Sequence, residues 1–91
     1  VNISFLLENE RGWLSSSLFF YSLEQLGINA TRYYIPKGIV LAPEEVRYYV
    51  MELSKDLRKA QGKDKKYIDY VAQILTTLNS WGNKNYVVHV V

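Results

Sequence analysis

Thr31-Arg32-Tyr33-Tyr34-Ile35-Pro36-Lys37-Gly38 is the stretch on which the fold turns. Its β-branched and aromatic residues, broken by a proline and a glycine, predict a strand over 31–35. Upstream, Leu14, Leu18, Tyr21 and Gln25–Leu26 recur at helical spacing and Phe19 and Leu23 widen the apolar face, which predicts a helix over 14–26. Ser15, Ser16 and Ser17 suit its capped start and Gly27 its stop. Before it, the apolar run 3–7 ends in the charged loop 8–12 and predicts a first strand. Downstream, 39–42 reads as a short extra strand or as extended chain leading into a helix. Pro43, Glu44 and Glu45 suit a helix N-terminus, and Val46, Tyr49, Val50, Leu53 and Leu57 predict a helix over Pro43–Lys59. A second break at Gln61-Gly62-Lys63-Asp64 precedes a helix over 64–81, a turn at 82–85 and a strand over 86–91. The order β-α-β-α-α-β predicts an α/β fold: two or three layers around a small sheet of about three mainly parallel strands. It would form one domain over residues 1–91, standing alone or cut from a larger one.

Composition narrows the classes. Ninety-one residues, 48% hydrophobic and 22% charged, match one globular domain, not a disordered chain. Without cysteine, neither a disulfide-stapled mini-protein nor a thiolate metal centre is available. No apolar run reaches the ~20 residues of a membrane-spanning helix, so no membrane partner is expected. A formal charge of +2 is too mild to argue for nucleic acid alone. The start lacks the pattern of a secretory signal, giving a cytoplasmic expectation. Few labile residues beside abundant Ile, Lys, Glu and Tyr lean toward a heat-adapted protein.

Three clusters could carry chemistry. Gly12, Ser15 and Ser16 lie where the first strand would lead into the first helix, and free N–H groups there could hold a phosphate or another ligand. With one glycine and no Lys-Ser/Thr pair, an ordinary capped loop competes with that reading. Glu8 and Glu10 share the loop and could bind a divalent ion or share acid–base work, although Arg11 opposes them. Arg58, Lys59, Lys63, Lys65 and Lys66 gather at the break between the last two helices, opposed by Asp64, with Tyr67 and Tyr70 nearby. They are candidate nucleic-acid contacts, weighed against a solvated helix-hairpin tip. His89, the one histidine, alternates within an apolar strand and receives no catalytic role. No catalytic residue, metal site or cofactor is expected. Trp13 and Trp81 are expected to pack at helix ends.

The ungapped positions of Gly12, Ser15, Ser16, Leu26, Gly27, Tyr34 and Pro36 make residues 12–36 resemble the first motif region of DHH-family phosphoesterases, the RecJ-like group. In that family, metal-binding aspartates stand just before the glycine, where this chain has Asn9 and Arg11. The Asp-His-His signature is absent from the chain. The resemblance therefore implies a non-catalytic relative, an interaction module of the kind that acts as a scaffold in archaeal and eukaryotic DNA replication, with a protein partner and nucleic acid as a further candidate. A second stretch, Leu7 to Leu14 with Gly27-Ile28-Asn29, is similar to ACT domains and implies an amino-acid-binding regulatory domain acting between paired subunits. A homodimer is expected on that alternative. A metal-dependent phosphodiesterase using Glu8 and Glu10 is the third.

Overall fold

The computed structural model describes residues 17–36 and 38–90. Helix α1 spans Ser17–Gln25, and a 3₁₀ turn spans Ala30–Tyr33. Strand β1, Val40–Leu41, leads into α2, Pro43–Lys59. A tight turn then joins α2 to α3, Lys65–Asn83, and β2, Val88–His89, follows.

Each end has a local cause. After α1 the Gly27 N–H donates to the Glu24 carbonyl at 3.0 Å and the Ile28 N–H to the Leu23 carbonyl at 2.9 Å. That pair of bonds is a Schellman stop, which needs a left-handed residue, and Gly27 supplies it at φ 74°. At α2 the Glu45 carboxylate accepts the Ala42 N–H at 2.9 Å, with Pro43 in the first turn. Asp64 caps α3 by accepting the Lys66 N–H at 2.9 Å.

The expected sheet of about three mainly parallel strands is not what forms. Among the described residues the fold is mostly helical, with one two-stranded antiparallel sheet. Its register is Val40 opposite His89 and Leu41 opposite Val88. The bonds Gly38 N–H to Val90 O, 2.8 Å, and Val90 N–H to Ile39 O, 3.0 Å, extend it. Two helices, not one, separate β1 from β2. A single crossover helix returns the chain to run parallel, whereas an antiparallel helix pair brings it back reversed. The expected 3–7 strand lies outside the described residues. The expected 31–35 strand is the second correction: Asn29 Oδ1 accepts the Thr31 N–H at 3.2 Å and starts a 3₁₀ turn instead. Extended backbone begins only at Tyr34, at φ −76° and ψ 124°.

The core lies between the α2–α3 pair and α1. Val46, Tyr49, Leu53 and Leu57 of α2 are buried, as are Val71, Ile74, Leu78 and Trp81 of α3. Phe19 and Leu23 of α1 and Val88 of β2 are wholly enclosed with them. The four named α2 positions recur at three and four residues, the stripe that faces a partner helix. The Pro43–Lys59 helix forms over its expected span, the third helix runs two residues further than expected, and Trp81 packs at a helix end.

Candidate functional site

The 3₁₀ turn lies against α2 and builds a polar lattice there. Glu45, Tyr49, Glu52 and Asp56 are spaced by four, three and four residues, so they lie along one stripe of α2. Arg32 reaches that stripe from the turn. Its Nη2 donates to Glu52 Oε2 at 2.7 Å and its Nη1 to Asp56 Oδ2 at 3.4 Å. The Tyr33 hydroxyl donates to the same Asp56 oxygen, and the Tyr49 hydroxyl donates to the Tyr33 carbonyl at 2.8 Å. The two rings meet edge to face, 5.4 Å between centroids at 78°. Burial, then the bond to Asp56, pushes the Tyr33 phenol above the usual tyrosine range, and burial does the same to Tyr49.

Beside this lattice opens a groove of about 530 Å³. Tyr33, Tyr49 and Leu41 are its buried floor, and Ile35 is half-buried. Both floor tyrosines have their hydroxyls engaged within the protein, so their rings present hydrocarbon to the groove. Tyr48 stands at the side, 62% exposed. Glu44, Glu45, Glu52 and Arg32 complete the lining. Arg32 is committed to Glu52 and Asp56, and Glu45 to the Ala42 N–H, whereas Glu44 has no ion-pair partner among the described residues.

The expected sites fare differently. Gly12, Ser15 and Ser16, with Glu8 and Glu10, lie outside the described residues. Arg58, Lys59, Lys63, Lys65 and Lys66 do come together, all exposed, around the α2–α3 turn. Two of them have intrahelical partners: Arg58 donates to Ser54 Oγ at 3.2 Å, and Lys65 Nζ lies 2.7 Å from Asp69 Oδ2. Lys66 Nζ sits 5.0 Å from the Tyr67 ring centroid, a cation–π contact. Lys59 and Lys63 border a cleft with Asn29, Arg32 and Asp56. His89 is half-buried in β2. Among the described residues, no group of three or more His, Asp or Glu is placed to hold a metal ion.

The groove residues Arg32, Tyr33, Tyr48 and Glu52 were not among the sequence candidates. The acidic and aromatic stripe at 45, 49, 52 and 56 was a readable signal, but its partner, the 31–33 segment, reads as strand and so gave no reason to join them. No protein-family model, curated protein or solved structure matches the chain.

Proposed function

We propose that this chain is a non-catalytic protein-interaction module. The observation that carries the reading is the groove: an aromatic floor held rigid by its own hydrogen bonds, open to solvent beside the exposed Tyr48. Met51, one turn further along α2 from Tyr48, is 45% exposed. Aromatic and methionine side chains in such positions are typical anchors of protein interfaces. The resemblance of residues 12–36 to the DHH first motif, with Asn9 and Arg11 where the family has metal-binding aspartates, supports the same non-catalytic reading. A replication assembly as the setting, with a protein as partner, is the finer part of this proposal.

The test places a photo-crosslinking residue at Tyr48 or Met51, and at the exposed Gln73 of α3 as control, in the intact chain inside its host cell. Discrete protein adducts at Tyr48 and Met51, absent at Gln73, are expected. Adducts no more frequent at the two test positions than at the control would refute the reading.

Nucleic acid is the second reading, favoured by five exposed cations within residues 58–66. On it, single-stranded DNA binds with an affinity that falls steeply with salt and drops in Lys65→Ala/Lys66→Ala. An affinity unchanged by both salt and substitution removes it.

A further inference from the structure

We infer that the groove between the 3₁₀ turn and α2 docks a basic peptide segment of a partner protein, one in which an apolar or aromatic side chain adjoins a lysine or arginine. This rests on the interaction-module reading and specifies its site and partner chemistry.

Shape and charge argue it together. The groove, about 530 Å³, is within the roughly 300–1,000 Å³ range that encloses a few side chains. Its floor offers the rings of Tyr33 and Tyr49 and the Leu41 side chain, and no free hydroxyl, so it suits an apolar anchor. The rim is the opposite of the protein's net charge. Among the described residues Glu44, Glu45 and Glu52 oppose Arg32 alone there, while the whole chain is +2. The α2 N-terminus adds only about half a positive charge, so the rim stays negative by roughly one and a half charges. Glu44 has no competing cation among the described residues. The exposed Tyr48 face adds a surface over which a guanidinium or ammonium can lie. An acidic peptide would meet repulsion at the rim, and a purely apolar one would leave the carboxylates unanswered.

The test pans a random-peptide phage library against the intact chain and measures the selected peptides against the Glu44→Lys and Tyr48→Ala variants. Both residues are exposed, and circular dichroism with thermal melting is the check that each variant is folded. Selected peptides that pair Lys or Arg with a neighbouring Trp, Phe or Leu are expected, with affinity falling about tenfold in each variant and weakening with salt. Three results overturn the inference. Peptides of any composition that bind both variants unchanged would place docking elsewhere while leaving the interaction-module reading intact. Self-association that is lost in Tyr48→Ala, seen by light scattering, would make a second copy the occupant. No selected peptide, no crosslink at Tyr48 and salt-dependent DNA binding through Lys65 and Lys66 would remove both the groove assignment and the module reading.

Discussion

Replacing Tyr49 by phenylalanine tests the lattice beneath the groove with one oxygen atom. The Tyr49 hydroxyl donates to the Tyr33 carbonyl at 2.8 Å, and that carbonyl has no other donor among the described residues. Tyr49 is only 8% exposed, so water has poor access to the orphaned oxygen. A buried acceptor left unpaired costs about 1–3 kcal/mol, less the small saving from not burying a hydroxyl, so about 1–2 kcal/mol is expected at pH 7. The same substitution has a distinctive pH dependence. Burial raises the Tyr49 pKa above its ordinary value near 10, so the folded protein holds this proton more tightly than the unfolded chain. Its contribution is therefore complete below about pH 10 and is lost as pH rises past that point. As pH rises past about 10 the native protein therefore loses stability through this residue, a loss the phenylalanine variant does not share. The stability gap should thus narrow from its value of about 1–2 kcal/mol at pH 7 as the pH is raised to 11. Urea unfolding of both proteins, followed by circular dichroism at each pH, measures it. A gap under about 0.5 kcal/mol at pH 7, or one that stays constant to pH 11, would refute the burial and bonding described for Tyr49.

The remaining predictions concern helix ends and core. Ala42 stands at the N-cap of α2 with N-cap geometry, φ −70° and ψ 159°, but offers no side-chain acceptor. Ala42→Ser completes the reciprocal bonds that Glu45 begins and should stabilise by about 1 kcal/mol, raising Tm by about 4–8 °C; an unchanged Tm would count against the cap. At Gly27 an added Cβ meets no atom within 4 Å, so Gly27→Ala should cost only the strain of φ 74°, about 1–2 kcal/mol, and Gly27→Asn less. Equal losses for the two substitutions in chemical denaturation would argue against a left-handed stop. Leu53 is fully enclosed between the helices, and Leu53→Ala should cost about 2–5 kcal/mol with an unchanged denaturant slope; a loss below 1 kcal/mol would show that the site is not close-packed.

What could be read from the chain divides by the range of the forces involved. Val46, Tyr49, Leu53 and Leu57, and then Val71, Ile74 and Leu78, carry the helical period in the sequence itself, so α2 and α3 formed where expected. Gly27 marked its stop because a left-handed residue is a local demand of the backbone. The short pairing at Val40–Leu41 was also in view, as one of two readings of 39–42. The basic residues 58–66 came together because a turn between two helices keeps sequence neighbours close in space.

The 31–35 segment shows where local reading ends. Thr31, Tyr33, Tyr34 and Ile35 favour strand by type, yet β preference largely measures how a side chain fits the neighbours it happens to have. Here Asn29 supplied a local cap for a 3₁₀ turn, while α2 supplied Asp56 for the Tyr33 hydroxyl and Tyr49 for its carbonyl, from 23 and 16 residues away. Sheet polarity followed the same logic: β1 and β2 became antiparallel because an even number of helices lies between them and those helices pack side by side. The sequence alone determined the spans of α2 and α3 to within two residues and the stop at Gly27, because periodicity and capping act within a turn or two of chain. Only the tertiary structure decided that Arg32 and Tyr33 would face the acidic stripe of α2 beside a groove, because the bonds that hold them join residues no local pattern brings together.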